Sequence, residues 1–324
     1  MSYDVVMPSL TQRRVEWMDQ LRGLAILLVI IVHAEAVVRP WVTMSAPVIV
    51  ILDALAPFRI PTLVFLSGML LERSLAKPTG VYFAGKLRAI AWPYVLWSVA
   101  FLAISGALSV GTLIRVGTVP PTYLWYLYFL LVYYALAWIM RKARIPFWVA
   151  MIVGVALSFS DDPYRGGRLG FLMVFFFAGW YMTRDWAPWV LRHRAWLVIP
   201  GGLAMVAGGW LSAAGIPVRY EPLPILLTAG GVLFGVCAMS FLEGAGWLRP
   251  VASVGRASIV FYVTHYPVIY LLGVTLDWAG IGEPLVYLVV GIVAALAVGA
   301  VFVALRKRSR IVAALFDFPR RVYA

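Results

Sequence analysis

Three histidines stand in a chain of 324 residues, and two of them, His33 and His265, fall inside long apolar runs. The first run, DQLRGLAILLVIIVHAEAV over residues 19–37, opens near Arg22 and closes on His33 and Glu35. Ionisable groups in such a segment are costly and mark functional sites by default. Arg22 and His33 are eleven residues apart. On a helix this places them within about 20° of each other on one face and about 16 Å apart along the axis. Asp19 lies near the same stripe and is placed to pair with Arg22, whereas Glu35 points elsewhere. The helical neighbours Val29, Ile30, Ala36 and Val37 offer no side-chain hydrogen bond. Any side-chain partner of His33 therefore comes from another helix. A neutral imidazole at this depth has the chemistry of a general base. The plainer reading is a histidine satisfied by a backbone carbonyl or sitting at the interface.

His265 lies in ASIVFYVTHYPVIY, and His193, between Arg192 and Arg194, reads as a solvated loop residue. Arg59, in APFRIPTLVFLSGMLL, must face a cavity or an acid such as Asp53. Its guanidinium suits an anionic ligand or a carbonyl oxygen. Ser67 followed by Gly68 reads as close helix packing, and no G-x-S-x-G elbow is present. The aromatic run TYLWYLYFLLVYY, residues 122–134, places Tyr123, Trp125 and Tyr126 in an interfacial belt and Tyr133 and Tyr134 deeper, where they can line a pocket. Arg59, Trp125 and Tyr133 are thus the candidates for contact with substrate. No His-x-x-x-His pair or Cys/His cluster points to a metal.

These side chains need a scaffold, and composition defines it. The chain is 63% hydrophobic and only 13% charged, against roughly 25% charged in a soluble domain. It reads as an all-α, polytopic membrane helix bundle in a single domain, residues 1–324. The single Cys237 excludes an internal disulfide framework, and the chain has no asparagine to carry a glycan. The first apolar run ends in charged groups and reads as a retained span rather than a signal peptide. With about 20 apolar residues needed per crossing, ten spans are expected, at 21–38, 48–71, 89–109, 122–140, 146–160, 169–183, 195–214, 222–242, 257–276 and 284–305.

Of the 27 Lys and Arg, twenty-one fall in alternate loops on one side, from Arg13, Arg14 and Arg22 to the basic tail 306–324 with Arg320 and Arg321. Five fall on the other side, Arg39, Arg115, Arg165, Arg168 and Arg219, and Arg59 lies within a span. The positive-inside rule then puts both termini, including a short segment 1–17, in the cytoplasm. The net charge of +13 is explained by membrane topology, and no nucleic-acid partner is expected. Membrane lipids are.

In this order the residues resemble the acyltransferase type 3 family, bacterial membrane proteins that O-acylate extracytoplasmic glycans and lipids. Arg22, ten residues, then His33 resembles that family's signature in the first span. FRIPTLVFLSGMLL at 58–71, KLRAIAWPYVLWS at 86–98, LWYLYFLLVY at 124–133 and SVGRASIVFYVTHYP at 253–267 resemble further family segments in sequence order. The family often carries Arg-x-x-Arg before its third span, where this chain has Lys86 and Arg88. The family's attached hydrolase-like domain has no counterpart, so a stand-alone enzyme is expected.

The resemblance implies transfer of an acyl group, most often acetyl, from acetyl-CoA or another acyl-CoA to a hydroxyl of an envelope glycan or glycolipid, in the inner (plasma) membrane. The acyl-CoA is a co-substrate, and no permanently bound cofactor is implied. His33 would be the general base, His265 its assistant, and Arg22 the residue orienting the donor. Arg22, Lys86 and Arg88 would hold the phosphates of CoA. The alternative is a transporter or flippase of a lipid-linked sugar. Such proteins show internal repeats and matched broken helices, and this chain shows neither.

Overall fold

The computed structural model describes residues 15–160, 162 and 166–318. Arg13, Arg14, Arg165, Arg320 and Arg321, counted above in the loops, lie outside the described residues. Among those described, the chain is helical and no strand occurs. Ten principal helices lie at the ten apolar runs. They are α1 (Glu16–Ala36), α2 (Ala46–Gly68), α3 (Trp92–Ile104), α4 (Trp125–Lys142), α5 (Phe147–Ser158), α6 (Gly166–Tyr181), α7 (Arg194–Ala213), α8 (Ile225–Phe241), α9 (Ser258–Trp278) and α10 (Pro284–Arg306). A π-turn, Leu87–Ala91, joins α3 to a preceding helix Thr79–Lys86.

Seven helical segments are long and apolar enough to cross a membrane. The other three, α5, α6 and α8, have only 12, 16 and 17 residues. At 1.5 Å per residue α5 reaches about 18 Å, short of a hydrocarbon core of about 30 Å. The expectation of ten spans counted apolar windows. The helices within three of those windows are shorter, so seven segments among the described residues meet the length and composition a crossing needs.

Hydrogen bonds between segments define two ends of the bundle. At one, the backbone N–H of Glu16 donates to Glu243 (3.2 Å), Arg194 to the Ser240 carbonyl (2.8 Å) and Arg88 to the Phe318 carbonyl (3.1 Å). These bonds unite the start of α1, the loops flanking α7 and α9, and the C-terminal segment. At the other end the Ser212 hydroxyl, at the close of α7, donates to the Asp53 carbonyl near the start of α2 (2.7 Å).

Two glycine crossings bring helices to backbone contact. A Cβ on Gly68 of α2 would stand 1.8 Å from the Phe176 carbonyl oxygen of α6, and one on Gly179 of α6 would stand 2.0 Å from the Phe65 carbonyl oxygen. Gly23 of α1 and Gly255, in the helix Arg249–Arg256, interlock in the same way. Small residues are how membrane helices approach closely, and the Ser67–Gly68 step is packing, as the sequence indicated. Inside α2 the hydroxyls of Thr62 and Ser67 donate to the carbonyls of Phe58 and Leu63, both at 2.8 Å. Their polar atoms are thereby satisfied within the helix.

Gly68→Ala is expected to push α2 and α6 apart, at an overpacking cost of about 1–3 kcal/mol or more. Gly85→Ala, where an added Cβ meets nothing within 4 Å, is the control. Thermal unfolding in detergent should show a lower Tm for the first variant alone; equal Tm values would show that the crossing yields without cost.

Candidate active site

The partner of His33 is His265. Nδ1 of His33 lies 2.9 Å from Nε2 of His265, and Nδ1 of His265 lies 3.1 Å from the carbonyl oxygen of Phe261. The carbonyl can only accept, so His265 donates from Nδ1 and, when neutral, keeps a lone pair on Nε2. His33 must then donate from Nδ1 to that lone pair. The sequence of forced choices leaves Nε2 of His33 unprotonated. The buried member of the pair, His265, has no exposed surface, while His33 is partly open. Their rings lie 5.0 Å apart at 29°.

The helix around His265 is adapted to the pair. Pro267, two residues on, has no N–H to offer the Val263 carbonyl in the preceding turn. The hydroxyl of Tyr123 takes that carbonyl instead, at 2.7 Å. Tyr123 stacks on Tyr266 with centroids 4.6 Å apart, its own carbonyl accepts from the Tyr262 hydroxyl, and its ring meets His265 edge-on at 5.5 Å. Tyr123 and Tyr126 were expected in an interfacial belt; both are buried instead, Tyr126 with its hydroxyl against Ser67 at 3.2 Å. Each carries a hydroxyl that finds an acceptor across the bundle, and this holds it in the interior.

His33 opens onto two cavities that share His33, Arg59 and Arg219. The larger, about 540 Å³, lies between the end of α1, the start of α2 and the segment after α7, and includes Glu35, Arg39 and Asp53. The smaller, about 140 Å³, adds Tyr123, Trp125, Arg168, Tyr220 and Tyr262. Arg59 is 6% exposed, and its Nη1 has no hydrogen-bond partner. The guanidinium of Arg168 lies over the rings of Trp125 and Tyr220, at 4.8 and 4.9 Å. Glu35, expected to point away from the functional stripe, also borders the larger cavity. Its two oxygens hold Arg39 in a fork, at 2.7 and 3.0 Å. That pair spans one turn of backbone at the end of α1, where angular spacing on an ideal helix no longer decides what a long side chain reaches.

Arg22 lies three turns away. Its Nη2 donates to the Leu66 carbonyl at 3.2 Å. Next to it the Tyr134 hydroxyl donates to the Ser67 carbonyl at 3.0 Å. Lys86 stands 3.4 Å over the Tyr134 ring, and its Nζ donates to Ser74 at 3.0 Å. Arg22 thus meets the end of α2 directly, and Lys86 meets it by way of Tyr134. A chain of contacts through Tyr126 and Tyr262, with centroids 5.2 Å apart, and on from Tyr262 to His265 at 5.8 Å, links this cluster to the histidine pair.

Two of the expected site residues stand elsewhere. Arg88, two residues from Lys86 across the π-turn, turns away to the Phe318 carbonyl. Tyr133 is fully buried, donates to the Leu169 carbonyl at 2.8 Å and lines neither cavity. His193 lies in an exposed loop, within 2.8 Å of the Trp189 carbonyl. Arg168, Arg219 and Tyr220 were missed as site residues. They lie in loops or at helix starts, where no periodicity marks a facing direction. The one available signal was arginine on the side poor in basic residues.

Comparison with known proteins places the chain in a family. The acyltransferase domain model matches residues 15–304. A curated relative, the inner membrane protein YcfT of Escherichia coli (strain K12), is 25% identical over 298 residues, covering 80% of this chain and 81% of that protein. No solved structure matches significantly. A family match that takes in Arg22, His33, Arg59, Lys86 and His265 together makes the chain a multi-pass helical member of the acyltransferase type 3 family.

Proposed function

We propose that the protein is an O-acyltransferase of the inner (plasma) membrane, with both termini cytoplasmic. It moves an acyl group, acetyl in the first instance, from cytoplasmic acyl-CoA to a hydroxyl of an extracytoplasmic glycan or glycolipid. One observation carries the reading: the Phe261 carbonyl, His265 and His33 form a hydrogen-bonded series that leaves a basic nitrogen at a cavity wall.

In the proposed reaction Nε2 of His33 accepts the proton of the acceptor hydroxyl as its oxygen attacks the thioester carbonyl. The positive charge formed on His33 is shared with His265 through the Nδ1–Nε2 hydrogen bond. The tetrahedral intermediate collapses with cleavage of the C–S bond. The departing sulfur takes the proton back from Nε2, giving the ester and free CoA. His265 acts through His33 and is a positioning residue. Arg22 and Lys86 supply positive charge for the CoA phosphates at the basic end, a task that Arg88 is too far engaged with Phe318 to share. Trp125 and Arg59 face the acceptor.

His33→Ala is expected to lower transfer of labelled acetyl from acetyl-CoA to membrane glycans by about 10²–10⁴-fold, the worth of a positioned general base, with Tm unchanged. His265→Ala should lower kcat while leaving the KM for acetyl-CoA alone. Full transfer by the His33 variant would end the base assignment.

Lys86→Ala should instead raise the KM for acetyl-CoA with little change in kcat, since it removes binding remote from the reacting atoms. A flat KM would place the donor elsewhere.

A further inference from the structure

The cavities beside His33 carry more positive charge than a neutral sugar requires. Arg39, Arg59 and Arg219 line the larger, against two carboxylates, Glu35 and Asp53. Glu35 is taken in a fork by Arg39, which leaves Asp53 as the remaining acid on the wall. Arg59 is the telling member. It is 94% buried by the same measure that leaves it 6% exposed, and its Nη1 finds no partner in the protein. A buried polar atom left unpaired is costly, more so when charged, and such atoms in folded proteins call for a reason.

We infer that the acceptor bound in these cavities carries an acidic group, a carboxylate or a phosphate, which Arg59 binds with help from Arg219 while the hydroxyl to be acylated faces His33. A guanidinium offers two parallel N–H bonds matched to such oxygens. The Nη1 of Arg59 completes its hydrogen bonding only when they arrive. A single guanidinium would suffice to face the oxygen of a thioester carbonyl; Arg59 and Arg219 together, on the wall of both cavities, suit a ligand with full negative charge. Trp125 and Tyr220, perpendicular at 6.2 Å with the Arg168 guanidinium over both rings, bring aromatic surface for a sugar to the same cavity. This inference rests on the acyl-transfer reading for the word acceptor alone. The binding it claims stands without donor.

The test measures binding to the full-length protein in detergent, with acetyl-CoA omitted, by thermal shift and thermophoresis. The probes are glucuronate, glucose 1-phosphate and glucose. Glucuronate or glucose 1-phosphate is expected to bind at least tenfold more tightly than glucose, and the tighter of the two tells carboxylate from phosphate. Arg59→Gln should abolish that preference. Arg219→Gln, at an exposed position that leaves the fold intact, should weaken the favoured probe at least threefold and covers the case in which the Arg59 variant fails to fold. Equal affinity for glucose, binding of none of the probes, or full retention by Arg219→Gln overturns the inference. Acetyl transfer to a neutral acceptor without anion binding would sink this inference and leave the proposed function standing. Anion binding without any acetyl transfer would do the reverse.

Discussion

The bond from His265 to the carbonyl of Phe261 fixes where the protons of the histidine pair sit. A carbonyl oxygen cannot donate, so one backbone group fixes the tautomer of His265, which fixes that of His33, which leaves the lone pair at the cavity. No carboxylate is needed to orient the pair. In lipid this is an economical device: a backbone carbonyl is already present in every helix turn, whereas a buried carboxylate carries a large desolvation cost. Reversing the tautomer would turn the His33 Nε2 into a donor.

The same shortage of water shapes the surroundings. Pro267 releases the Val263 carbonyl one turn from the histidine, and in hydrocarbon an orphaned carbonyl costs several kcal/mol. Tyr123 satisfies it, and in doing so brings an aromatic ring against His265 and Tyr266. Tyr262 closes the arrangement by donating to the Tyr123 backbone. The tyrosines are therefore held by backbone acceptors rather than by one another, so α4 and α9 stay in register around the histidine pair. The glycine contacts of α1 and α2 do the complementary task, setting these helices against the helix Arg249–Arg256 and α6 at backbone distance.

Much of this was legible in the residues, for physical reasons. Apolar length located all ten principal helices, because a membrane leaves few other ways to satisfy a backbone. The eleven-residue step from Arg22 to His33 predicted two groups on one face, and the structure sets one at each end of the linked tyrosine chain. What failed was whatever depended on another segment. The aromatic run of α4 looked like a belt because composition cannot show where a hydroxyl finds its acceptor. Lys86 and Arg88 looked like a pair, until a π-turn sent one to Tyr134 and the other to the C-terminal segment. His265 was singled out, but its bond to His33 joins residues 232 positions apart, a distance no local pattern spans.

The distribution of arginine carries a last lesson. Counting basic residues by loop treats the few on the poorer side as exceptions to a topological rule, tolerated because the rule is statistical. The structure gives most of them a common destination. Of Arg39, Arg115, Arg168 and Arg219, the described members of that minority, all but Arg115 line the cavities beside His33, and Arg59 within α2 joins them. Under that rule a positive residue on the poorer side is disfavoured. Several retained around one small volume define a place where charge is used. The exceptions to the loop count coincide, in this protein, with the walls of the cavities beside His33.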